Sequence, residues 1–188
     1  MSDSISRREW TLATLGLATP AELAQAWQHA HEAAAAPPAK LNVLDPEMAR
    51  EIEALTSRII PSDGSPGARE AGVIYFIDRA LGGWQSEHLP AYRRGMTEVQ
   101  ALRTRMFPNS SSIAALSEAD QDRLIAAFDQ TPFFSLLRTH TAFGFLGSPA
   151  YGGNRGGAGW AHIGFEDRAS FSPPFGYYDA QALREGGK

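Results

Sequence analysis

The stretch DPEMAREIEALTSRIIP, residues 45–61, carries a complete helix with both of its ends marked. Asp45 is a side chain suited to capping the first free amides, and Pro46 fits the first helical position, where no N–H is needed. Met48, Ile52, Leu55 and Ile59 recur at three- and four-residue spacing, so they line one face, and Pro61 ends the run. A helix of this kind must bury its apolar stripe on other helices, and the flanking sequence supplies them.

Downstream, SDGSPGAREAG (62–72) reads as a turn. Asp63 is expected to bond its own turn's amides, with Pro66 and Gly67 shaping the chain ahead of a helix from about Ala68 to Leu81. Val73 to Ile77 is apolar on every side of that helix, which predicts burial, and Gly82 and Gly83 stop it. A third helix starts near Pro90 with Met96, Val99, Leu102 and Met106 on one face. Arg93, Arg94, Arg103 and Arg105 form a basic surface that is either a docking patch or a solvated face. Ser117, with Asp120 three residues on, predicts a further start, with Leu124, Ile125 and Phe128 facing inward. FFSLLRTHTAFGFLG (133–147) closes the series as a very apolar last helix. No segment alternates with the two-residue period of a strand. The expected fold is therefore an all-α bundle of about five to six helices, occupying residues 41–147.

The two ends differ from this body. Before residue 41, SISRREWTLATLGLA sets Arg7 and Arg8 ahead of a short apolar run, the order of a degenerate twin-arginine export signal. Pro20 and Glu22 interrupt that run, so a retained amphipathic helix followed by a linker is the other reading of residues 1–40. From Ser148 onward the chain holds nine of the eighteen glycines together with many aromatic residues. That tail, residues 148–188, is expected to lack regular structure, and its aromatic content predicts that it lies on a surface.

Several kinds of chemistry are excluded. The chain contains no cysteine, which removes thiolate-bound clusters, CxxCH haem attachment and thiol nucleophiles. The net charge of −4 gives no field attractive to nucleic acid. No apolar run reaches the ~20 residues of a bilayer span. The glycines of YGGNRGGAGW (151–160) follow a helix and lack GxGxxG spacing, so they do not form a dinucleotide cradle. The five histidines form no HxxxH or HExxH pair, which disfavours zinc. His140, on the apolar last helix, reads as a satisfied core or interface residue. An independent enzyme would have to combine His140 or His162 with Asp63 or Glu166, and no such constellation is visible in the spacing. No catalytic, cofactor-binding or metal-ligating residue is therefore assigned. In the tail, glycines Gly152 and Gly153 permit close approach, Asn154 tolerates a left-handed turn, and Tyr151, Trp160, His162, Phe165, Phe171 and Phe175 are expected to contact a partner.

Taken together, SRIIPSDGSPGAREAGVIYFIDRAL, the later YGGNRGGAGWAHIGF and the twin-arginine-like start resemble the gluconate 2-dehydrogenase subunit 3 family, over roughly Leu41 to Phe165. The resemblance implies a non-catalytic small subunit of a multi-subunit sugar or sugar-acid dehydrogenase. The large partner would be an FAD-containing protein of the glucose-methanol-choline type, and a cytochrome c subunit would commonly accept the electrons. The resemblance further implies a role in maturation and export of the large subunit, and with the twin-arginine-like start a periplasmic location, or a cytoplasmic one if that start does not act as a signal. Substrates across such complexes include gluconate, glucose, fructose, sorbitol and the C3 hydroxyl of glucosides. An export chaperone that leaves the mature complex is the alternative.

Overall fold

The structure, a computed structural model, describes residues 41–167 and 175–185; the expectations for residues 1–40 and for Phe171 lie outside them. Among the described residues there are seven α-helices and no strand, in agreement with an all-α bundle. Helix α1 is Pro46–Ile59, α2 Val73–Gly82, α3 Leu89–Met106, α4 Glu118–Ala126, α5 Pro132–Leu146, α6 Ala158–His162 and α7 Tyr177–Glu185.

The local signals for helix ends act as expected. Asp45 accepts the amides of Glu47 and Met48 at 3.1 and 2.9 Å. Ser117 accepts the amide of Asp120, and Thr131 that of Phe134, ahead of Pro132. Each satisfies an amide that the helix itself leaves unpaired. Ile52 and Leu55 of α1, Ile77 and Leu81 of α2, Tyr92 of α3, Leu124 of α4 and Leu137 of α5 are fully buried in one core. Each contributes on the order of 2 kcal/mol by leaving water. Gly95 of α3 lies directly beneath the Phe133 ring, which fills the space any β-carbon would need. Helix α2 is the central element, packed chiefly on α5 and also on α1.

One boundary differs from expectation. Helix α2 begins at Val73, five residues later than the predicted Ala68, because Gly72 adopts φ +67° and interrupts the helical path. Residues 67–73 are joined instead by turn bonds from Ala71 to Gly67 and from Val73 to Ala68. A β-carbon on Gly72 would also meet the Arg155 guanidinium, from far along the chain, at 2.5 Å.

Two buried carboxylates secure the connections. Asp78 on α2 accepts the amides of Asn42, Val43 and Leu44 at 2.6, 3.0 and 3.0 Å and so fixes the entry to α1. Glu51 on α1 accepts those of Ile113 and Ala114 at 2.7 and 3.2 Å, and Gln121 donates to the Ile113 carbonyl. Loop amides without helical partners are thereby paired by side chains from the core.

The turn before α2 is also held by a residue other than the expected one. Glu70 accepts the Ser62 hydroxyl at 2.6 Å and the Gly67 amide at 2.9 Å, while Asp63 takes the Ser65 hydroxyl at 3.3 Å. The Ser62 bond, with backbone help, holds the Glu70 carboxyl below its usual range. A β-carbon at Gly67 would sit 2.6 Å from the Ile60 carbonyl oxygen, so the turn has room only for glycine there. Pro66 is exposed at the turn.

Candidate functional site

The first part of the tail departs from an irregular strand. Residues 149–165 fold back on the C-terminal end of α5 as two 3-10 turns, Pro149–Tyr151 and Arg155–Gly157, followed by α6. Positive φ at Gly152, Asn154, Gly156 and Gly157 makes the reversals possible. The backbone at Gly153 and Gly159 lies so near the carbonyls of Gly144 and Phe145 that neither position has room for a β-carbon. Asn154, fully buried, donates to the Gly147 carbonyl at 2.8 Å and accepts the Gly159 amide at 2.8 Å. The Trp160 indole donates to the Leu146 carbonyl at 2.7 Å. A helix leaves its last carbonyls without partners, and here the folded-back strap supplies donors for them. Arg155 completes the attachment by donating its amide to Ala71 and stacking its guanidinium 3.9 Å from the centre of the Tyr75 ring.

The strap also builds a wall. Between α2, α5 and the Pro149–Tyr151 turn runs an open groove of about 860 Å³, lined by Phe76, Trp84, Ala142, Phe143, Leu146 and Tyr151, with Gln85 and Gly147. Four of these side chains are large, apolar and unusually open to water: Trp84 at 52%, Phe143 at 54%, Leu146 at 40% and Tyr151 at 52%. Trp84 packs edge-on against both Phe76 and Tyr151, with ring centres 6.1 and 5.4 Å apart. Through the Trp160–Leu146 bond the apolar surface continues to Trp160 and the exposed Phe165, whose rings lie 5.1 Å apart. The side-chain amide oxygen of Gln85, Oε1, is buried without a hydrogen-bond partner.

Beneath the groove, His140 is a core residue. Burial, with the nearby His88 charge second, pushes it down to about 4. Burial also raises the Tyr92 hydroxyl above its ordinary range. The phenol therefore keeps its proton, and its oxygen lies within hydrogen-bond distance of His140 Nδ1, 2.9 Å away. His162 lies at the surface, with Nδ1 at 3.4 Å from the Ser65 hydroxyl, which itself bonds Asp63. Serine, histidine and aspartate thus meet, but the carboxylate holds the hydroxyl and not the imidazole, so nothing orients the base as a triad requires. No group of three or more His, Asp or Glu able to hold a metal occurs among the described residues.

The residues expected to contact a partner separate into two sets. Tyr151 stands in the groove, Phe165 and His162 are exposed beside it, Trp160 is half-buried, and Phe175 is exposed next to α7. Gly152, Gly153 and Asn154 are buried within the chain and attach the strap. Sequence reasoning missed Phe76, Trp84, Phe143 and Leu146. The available signal was that α5 is apolar nearly all round, more than a small bundle can cover.

Fold and surface together define a small all-helical domain built around an uncovered aromatic groove. The family model described as Gluconate 2-dehydrogenase subunit 3 matches residues 46–167, and the chain belongs to that family. It is accordingly a small subunit of a dehydrogenase complex, associated with other subunits of that complex. No curated protein and no solved structure shows a significant match.

Proposed function

We propose that this chain is the non-catalytic small subunit that binds and stabilises the FAD-containing catalytic subunit of a sugar or glycoside dehydrogenase, with the aromatic groove as the docking face. The continuous apolar strip from Trp84 through Tyr151, Phe143 and Leu146 to Phe165 carries the reading. Monomeric proteins seldom leave so large a contiguous apolar surface in water, whereas obligate subunits bury such surfaces. The flavin then resides in the partner, and electrons pass to a further subunit such as a cytochrome c. The twin-arginine-like start would take the folded pair to the periplasm.

Co-production of this chain with an FAD-containing dehydrogenase subunit from the same genome tests the proposal. The two should copurify in fixed stoichiometry, with flavin absorbance in the eluate, and Trp84→Ala with Phe143→Ala should lower the yield of complex at least tenfold. A complex that assembles equally well with both aromatic rings removed refutes the docking face. A mature complex that lacks this chain points to an export chaperone.

A further inference from the structure

The groove has a charge character as well as an apolar one. Residues 132–165, which supply α5 and the strap, contain Arg138 and Arg155 and no carboxylate, in a chain of net charge −4. On α2 the one carboxylate, Asp78, is buried under three backbone amides, and its neighbour is Arg79. Arg79 donates to the Ala150 carbonyl at 3.2 Å, which places it behind the turn that presents Tyr151. Arg138 lies one and two helical turns before Ala142 and Leu146, so it prolongs the groove-facing side of α5. It is exposed and has no ion pair among the described residues. The exposed carboxylate near the groove is Glu87, two residues beyond Gln85. Glu166 and Asp167, past Phe165 at the far end of the strip, are engaged within the chain.

We infer that the groove receives an apolar segment of the catalytic subunit flanked by carboxylates, with Arg138 meeting an acidic flank while Trp84, Phe143 and Tyr151 take the apolar centre. This rests on the docking reading above. Charge complementarity selects the occupant: an acidic flank is attracted by the exposed Arg138 and a basic one is repelled by it.

The test uses full-length protein and the co-produced catalytic subunit, with the dissociation constant measured between about 50 and 300 mM salt. Arg138→Glu sits on an exposed helical surface, and unchanged helical circular dichroism would verify that it folds. It should weaken binding about fivefold at low salt, Glu87→Lys should strengthen it, and the affinity of the unaltered pair should fall as salt rises. If Trp84→Ala weakens binding while Arg138→Glu stays within twofold of the unaltered protein, or if Glu87→Lys weakens it, the inference is overturned and the docking face stands. If Trp84→Ala has no effect, the docking reading fails first.

Discussion

Single buried side chains determine how the connections run, and their chemistry is asymmetric. Asp78→Ala would remove the carboxylate partner of the amides of residues 42–44, of which Leu44 is buried. The expected loss is about 3 kcal/mol of unfolding free energy, read as a lower urea midpoint. His140 acts through its proton. Its folded value of about 4 lies below the ordinary 6.5, so the unfolded chain binds the proton first as the pH falls. Stability should therefore decline from pH 6.5 down to 4, by about 3 kcal/mol in total, and be flat in this group's contribution above 6.5. Urea unfolding of His140→Gln, which still offers Tyr92 an acceptor, should show that slope removed. These roles were hard to read in advance. The sequence marks Asp78 and His140 as polar residues on apolar helices, yet their partners, Asn42 to Leu44 and Tyr92, lie some 34 to 48 residues away.

At the level of elements, legibility followed locality. The limits of α1 and the start of α4 could be read from Asp45, Pro46, Pro61 and Ser117 because a cap and its amides lie within three residues of each other. The start of α2 could not: it is set by the left-handed conformation of Gly72, beside which Arg155 arrives from the strap. The strap itself was visible as glycines, but whether they approach a partner or this chain's own α5 depends on tertiary placement. Gly153→Ala or Gly159→Ala should lift the strap from the α5 carbonyls at a cost of about 3 kcal/mol. Asn154→Ala combines two lost hydrogen bonds with an unfavourable left-handed backbone, whereas Asn154→Gly relieves the backbone alone and should be the milder change. Thermal melts of the three alanine variants, with Trp160 fluorescence as a local probe, would rank them.

For the molecule as a whole, stability and association make opposing demands on the same surface. The rings that would hold a partner are a hazard in its absence. Trp84→Ser combined with Phe143→Ser should raise the soluble yield of the chain produced alone and lower its yield in the complex. Dynamic light scattering and copurification would check the two halves separately. Improvement or loss in both would mean that the groove is not where association and aggregation compete. The all-helical class was legible because no segment alternates at the strand period and the apolar residues of α1 and α3 recur at helical spacing. The groove was not, since it exists only where α2 and α5 lie side by side and the turn at Tyr151 closes them.

The wall formed by the strap has a consequence in time. Arg79 and the carbonyl it grips at Ala150 are 71 residues apart. At a synthesis rate of about 5–20 residues per second, the Trp84 side of the groove waits some 4–14 s for the opposite side to be made. Throughout that interval the ribosome holds a nascent chain with an open aromatic half-site. Slowed translation between Trp84 and Tyr151 should therefore lower the soluble yield without altering a single amino acid.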